Sequence, residues 1–276
     1  MNSIDLRVVT FNIRFPSEHD EGNLWRDRRS IVADLFAHLD ADVVCMQETY
    51  RAQLHDVVSD SPRYACVGWE RRGETDEEHN PILLRSTRFM IESSGTFWLS
   101  DNPDVPGSRE WMPEDHPRVV TWARVNDLAT AQRVLIASTH FPLGDESLRV
   151  RSTELILKRI GGESIPTVLC GDFNAVPDSA PYRILTGNEA ASDGSRGDFV
   201  DSWTTVADPI GPTATFHRFT GQPKRENHRI DWILCRNGVQ AKKVETVVFN
   251  RGGKYPSDHF PVCADLVIEG ADSEGR

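Results

Sequence analysis

Two separate stretches of the chain repeat one plan, and that plan limits the fold more than any other feature. Residues 5–13 (DLRVVTFNI) and 41–47 (ADVVCMQ) are apolar, β-branched runs of strand type. Between them Ile31, Val32, Leu35, Phe36 and Leu39 recur at helical spacing. Residues 132–139 (QRVLIAST) and 167–171 (TVLCG) form a second such pair. The helix predicted around 146–160 between them would turn Leu148, Leu155, Ile156 and Ile160 inward. Each stretch therefore predicts a strand–helix–strand unit. Further strands are expected at 64–69, 82–85, 95–99, 119–126, 230–235, 239–248 and 261–268. So many strands with so few helices predict an α/β fold: a four-layer α-β-β-α sandwich of two packed mixed sheets flanked by helices.

Polar, Gly- or Pro-rich stretches near 70–81, 100–117, 187–198 and 220–228 have the length of loops over one body. Residues 1–268 are thus expected to form a single domain and 269–276 a frayed tail. No apolar run approaches the 18 or so residues that span a bilayer, and the first residues lack the pattern of a secretory signal. The five cysteines are odd in number, have no CxxC pair and mostly sit in apolar runs. Buried thiols of a cytoplasmic protein, working as a monomer, are the expectation. The net charge of −11 argues against a partner gripped over many phosphates, although it leaves a local basic strip open.

The strand ends carry the chemistry. The first strand of each repeated unit finishes at a polar side chain, Asn12 or His140, and the second at an acid, Glu48 or Asp172. Ligands of open α/β sheets gather at the carboxyl ends of strands, so these four groups are predicted to share a rim. Asp172 and Asn174, two apart on an extended chain, point the same way about 6–7 Å from one another. Asp231 stands between Ile230 and Trp232 in an apolar strand, where an unpartnered carboxylate costs several kcal/mol. His259, just before the apolar run 261–268, is its natural partner, with Asp258 beside it.

Singly, each residue has a plainer reading. Glu48 suits a helix N-terminus, Asn12 a turn, His140 a satisfied core position and Asp258 a turn. Together they put polar groups at the edges of at least five apolar strands, which one site explains at once. Carboxylate and amide oxygens without thiolates suit a hard divalent cation, Mg²⁺ or Mn²⁺, together with substrate phosphate. A histidine held by a buried acid stabilises charge on a phosphoryl oxygen, and Asp172 can orient and deprotonate water for in-line attack.

At these residues the sequence resembles the endonuclease/exonuclease/phosphatase superfamily, in a bacterial branch near its deadenylase and nocturnin-type members. The blocks that carry the resemblance run in order: TFNIR (10–14), QET (47–49), STHF (138–141), GDFNAVPDS (171–179), RIDWIL (230–235) and SDHFPV (257–262). It implies a deoxyribonuclease I-like fold and a role for each residue. Glu48 would be the principal metal ligand, with Asn12 a ligand or water contact and Asp258 supporting the metal region. Asp172 would be the base, Asn174 would hold phosphoryl oxygens, and His140 would touch the scissile phosphate. His259, held by Asp231, would stabilise the transition state. Asn80, Arg118 and His217 would line the substrate pocket. One departure stands out: many relatives place an aspartate two residues after the STH histidine, where this chain has Pro142.

The expected function is metal-dependent hydrolysis of a phosphoester in a small or lipid-linked compound. A nuclease is the alternative within the same chemistry, and a silent binding module is the alternative outside it. Trp25, Trp69, Trp98, Trp111 and Trp203 offer rings for stacking on a base or sugar, though tryptophans more often anchor cores and loops.

Overall fold

The computed structural model of the protein describes residues 3–73, 78–112 and 116–269. From residue 270 on, the tail expected to fray lies outside the described residues.

One six-stranded sheet contains β1 (Ile4–Asn12), β2 (Val43–Gln47), β4 (Tyr64–Val67), β6 (Ile82–Arg85), β13 (Val239–Thr246) and β14 (Val262–Ile268), in the order β13-β14-β1-β2-β6-β4. The second contains β7 (Phe89–Trp98), β8 (Val119–Asp127), β9 (Arg133–His140), β10 (Thr167–Asp172), β11 (Val200–Asp201) and β12 (Asp231–Arg236), in the order β11-β12-β10-β9-β8-β7. A third pairing joins β3 (Thr49–Tyr50) to β5 (Glu78–His79). The stretch 70–81, expected to be wholly loop, therefore contains a short strand. Among the strand ladders of the described residues only β1–β2 and β9–β10 are parallel, and each pair is bridged by a 15-residue helix, α1 (Trp25–Leu39) or α3 (Glu146–Ile160). Parallel neighbours need such a crossover. The remaining helices are α2 (Arg51–Asp60), α4 (Ala180–Leu185) and α5 (Ser202–Thr205).

Alternation along the strands builds three apolar layers. Val8, Cys45, Ile136, Val168, Cys170 and Ile233 meet between the sheets. Their neighbours Val9, Val44 and Met46 face Val32, Leu35 and Phe36 of α1. Leu135, Leu169 and Leu234 face Ile156 and Leu157 of α3. A strand covered on both faces can be apolar throughout, which is why 43–47 and 167–172 carry so few polar residues. The cysteines are all free: Cys45, Cys170 and Cys235 are buried as expected, whereas Cys66 is exposed on edge strand β4. No helix among the described residues is long and apolar enough to cross a membrane.

Gly171 allows the closest approach in the second sheet. It lies opposite Thr139, and a Cβ there would stand 2.3 Å from the Thr139 carbonyl oxygen. Gly171→Ala is expected to spread β9 from β10 and destabilise the fold by about 1–3 kcal/mol. A lower urea midpoint at unchanged slope would report it; an unchanged midpoint would mean the strands part without cost.

Candidate active site

The registers align five strand ends, two in one sheet and three in the other. Asn12 lies opposite Gln47 in the parallel pair β1–β2, and Asp172 lies opposite both His140 on β9 and Asp231 on β12. Beneath the rim, buried Gln47 joins the sheets by donating from Nε2 to Thr10 Oγ1 (3.2 Å) and Ser138 Oγ (3.3 Å). Past the strand ends the backbone turns left-handed at Arg14 (φ 60°), Glu48 (φ 56°) and Asn174 (φ 45°). Asparagine tolerates that conformation, but for Arg14 and Glu48 it costs roughly 1–3 kcal/mol each, the kind of strain that gathers at working sites.

Asp172 is at the centre and almost wholly buried. Its Oδ1 accepts from the Asn174 backbone N–H (2.9 Å) and its Oδ2 from Asn12 Nδ2 (3.0 Å). The same oxygen lies 3.6 Å from His140 Nε2 and 3.8 Å from His259 Nε2. Burial opposes ionisation, but the two imidazoles and these hydrogen bonds outweigh it and hold the carboxyl below its ordinary range. His259 Nδ1 lies 2.9 Å from Asp231 Oδ2, as the sequence suggested. Burial works against a charged imidazole there as well; Asp231, Asp172 and Asp258 overcome it and lift its pKa to about 10.

His140 has an acid of its own, which the sequence reading missed. Its Nδ1 lies 3.4 Å from Glu78 Oε1, and Arg71 Nη1 lies 2.8 Å from Glu78 Oε2, with Arg118 Nη1 3.5 Å from the carboxylate. Burial pushes the Glu78 carboxyl up, yet His140 and the two guanidiniums prevail and hold it at about 2. Glu78 is carried by β5, paired to the strand that follows Glu48. The departure at Pro142 therefore does not leave His140 without a carboxylate. Asn174 completes this side, with Nδ2 donating to the Phe141 carbonyl (2.9 Å) and 3.0 Å from His140 Nε2.

Glu48 and Asp258 form the other side. Glu48 accepts from Asn12 Nδ2 (3.0 Å) and the Phe15 N–H (3.1 Å). Arg14 is also an addition to the predicted set: its guanidinium lies 3.8 Å from both Glu48 Oε2 and Asp258 Oδ2, while Asp20 holds it at 2.8 and 3.1 Å. Burial and the neighbouring Glu48 push the Asp258 carboxyl up, so the two acids repel and the pair gains from a cation. Hard carboxylate oxygens suit a divalent ion there. Asn12 turns its NH₂ toward Glu48 and Asp172, and its Oδ1 accepts from the Arg14 N–H (3.0 Å). Donor atoms of Asp172, Asp231 and His259 also lie within 4.8 Å of one another, a buried group able to hold a metal. The acids around this imidazole favour its protonated form, a proton that a metal would have to displace, whereas Glu48 and Asp258 offer oxygens alone.

The remaining predicted residues lie around this cluster. Asn80 is buried, donates to the Val119 carbonyl (3.1 Å) and leaves Oδ1 without a partner; Arg118 reaches the cluster through Glu78. His217 is packed behind it, stacked on Phe260 at 3.9 Å, with Nδ1 accepting from the Gly221 N–H. Burial lowers its pKa to about 4, so it is neutral. Of the tryptophans, Trp98 donates to the Arg71 carbonyl and Trp25 to Asp56, whereas Trp69 is 62% exposed.

Comparison with known proteins identifies the family and supports the fold. The model of the Endonuclease/Exonuclease/phosphatase family matches residues 9–259. A solved endonuclease/exonuclease/phosphatase of Bacteroides vulgatus is 33% identical with TM-score 0.87, over 96% of this chain and all of that one. A mannosyl-6-phosphatase of Bacteroides thetaiotaomicron is 27% identical with TM-score 0.83, over 95% and 99% of the two chains. Nocturnin of Drosophila melanogaster is 21% identical over 99% of this chain and 48% of its own length, so the chain spans about half of that relative. With a family match over most of its length and the family's two-sheet fold, the chain belongs to the endonuclease/exonuclease/phosphatase family.

Proposed function

We propose that the protein is a Mg²⁺- or Mn²⁺-dependent phosphoester hydrolase acting on a small phosphate compound. The observation that carries the reading is the buried, ionised Asp172, fixed by Asn12 and Asn174 between two acid-held imidazoles. A carboxylate so placed accepts a proton from water, which then attacks phosphorus in line. His259, protonated and oriented by Asp231, donates to the phosphoryl oxygens as negative charge grows. His140, held by Glu78, and the Asn174 amide flank the same oxygens. Glu48 and Asp258 would hold the cation, which supplies Lewis-acid neutralisation of the phosphate when bound. The acidic balance and the similarity to a mannosyl-6-phosphatase support a small substrate over a polymer.

Hydrolysis of p-nitrophenyl phosphate, bis(p-nitrophenyl) phosphate, plasmid and oligonucleotide, each with Mg²⁺ and with chelator, tests the reading. Chelator is expected to abolish turnover of the small esters, and Glu48→Ala to weaken activation by Mg²⁺ at least about tenfold. A Glu48→Ala variant as active as the parent would refute the metal assignment. Preferential, salt-sensitive cleavage of the polymers would instead identify a nuclease.

A further inference from the structure

The segment 215–228 precedes the strand that opens at Asp231 and is tied at its base to residues 258–260, just before β14. Its ends are tied together where the Thr215 N–H donates to the His228 carbonyl (3.3 Å). Thr215 Oγ1 also accepts from the Ile230 and Asp231 N–H groups, and the Thr215 carbonyl accepts from the Phe260 N–H (2.8 Å). Phe216 bridges to His259, and the N–H groups of His217 and Arg218 donate to the Asp258 carbonyl (2.8 and 3.1 Å). Two consecutive left-handed residues, Arg218 (φ 52°) and Phe219 (φ 60°), then turn the chain outward. Phe219 lies over Arg28, and Gly221 sits so close to Tyr255 that a Cβ would fall 1.9 Å from its hydroxyl. The arm is thus docked at its base beside the catalytic imidazole.

It carries three exposed cations, Arg218, Lys224 and Arg225, against one acid, Glu226. Among the described residues none of the three side chains donates to an acid or a carbonyl. Elsewhere on the surface Arg29 holds Asp56 and Asp60, Arg251 holds Asp34 and Arg133 holds Glu92. With 42 acids and 31 lysines and arginines, partners are in excess. The Arg218 guanidinium instead lies 5.6 Å from the Phe216 ring, whose centroid is 5.0 Å from that of His259. At the far end His228 is under the influence of Arg225 on one side and of Asp172 and Asp231 on the other. A guanidinium without an acid, one ring away from His259, on an arm that also carries Lys224 and Arg225, suits a second anion.

We infer that the 215–228 arm is a second anion-binding subsite, and that the substrate is a small phosphate ester bearing a second phosphate group. The inference rests on the hydrolase reading above, because that reading puts the scissile phosphate at Asp172 and His259. Three cations match one or two phosphates, not the tract of backbone that a polynucleotide presents.

The test compares the parent with the triple variant Arg218→Asn, Lys224→Gln, Arg225→Gln; asparagine keeps the left-handed backbone at 218. Substrates are glucose 6-phosphate against glucose 1,6-bisphosphate, AMP against adenosine 3′,5′-bisphosphate, and a 20-nucleotide single strand. For a bisphosphate, KM is expected to rise about tenfold or more with kcat within about twofold, while its one-phosphate partner changes less than about twofold. Equal losses on both members of each pair, or none, would overturn the inference. A loss confined to the oligonucleotide would overturn it in favour of a polymer. Calorimetric titration of both proteins with each bisphosphate in chelator gives an answer independent of turnover. At least about tenfold weaker binding by the variant supports the subsite, and equal binding defeats it. Absence of hydrolysis with any substrate would count against the hydrolase reading alone.

Discussion

Asp172→Asn is expected to lower kcat by about 10²–10⁴-fold, while divalent-ion affinity stays within about twofold of the parent. The substitution is isosteric, and Oδ1 can still accept from the Asn174 N–H that now holds the carboxylate. What disappears is the anion that takes the proton from water, together with the charge that both imidazoles lean on. With one negative charge fewer around the phosphate, KM should stay level or fall, which separates this lesion from loss of binding. The ion should be spared because Glu48 and Asp258 lie on the other side of Asn12. Steady-state kinetics on bis(p-nitrophenyl) phosphate and a Mg²⁺ titration check both halves. A kcat within tenfold of the parent would remove Asp172 from proton transfer. Weaker ion binding with modest loss of kcat would make it a metal ligand.

Much of this site could be read from residues alone because burial makes polar residues conspicuous. Asp172, Asp231 and His140 end or begin strands that are otherwise apolar, and taken together a shared rim explains them at once. The helix at 146–160 and the strand at 82–85 emerge with the boundaries expected, since each is an unbroken periodic run between turn residues. The edges of other elements shift: the strand expected at 95–99 begins at Phe89, because Ser93, Ser94 and Gly95 interrupt its apolar pattern while its ladder to β8 continues through a bulge. Two site residues, Glu78 and Arg14, and the buried Arg28 were hidden for a single reason. Glu78 follows a run of charged residues, Arg14 precedes a polar loop, and Arg28 lies in the charged stretch WRDRRS, so each looks like a solvated surface group. Only tertiary contacts distinguish them. Glu78 gains meaning from Arg71, in the turn before it, and from His140, distant in sequence on another sheet, both of which meet it only in the folded chain.

Arg28→Met is expected to destabilise the protein by about 3 kcal/mol or more, a fall of roughly 6–12 °C in melting temperature. Arg28 is 1% exposed and spends its guanidinium on four backbone carbonyls: Asn23 (2.7 Å), Ile13 (2.7 Å), Pro256 (2.7 Å) and Arg14 (3.0 Å). Burial lowers its pKa to about 10, so the charge is costly to bury although it persists at neutral pH. Replacing a buried ion pair with apolar groups can stabilise a protein, because both charged partners leave together. Here the partners are main-chain oxygens that no substitution removes, and each one left unpaired costs about 1–3 kcal/mol. Relief of the buried charge offsets only part of that sum. The same four bonds tie the segment after Asn12 to the segment before Asp258 and His259, so kcat should fall along with stability. Arg28→Lys, with three donors on a point charge in place of a planar fork, should recover part of the stability and less of the rate. Thermal melts and kinetics on the two variants check the order. A melting temperature for Arg28→Met within about 2 °C of the parent would mean that water satisfies those carbonyls as well as the guanidinium does.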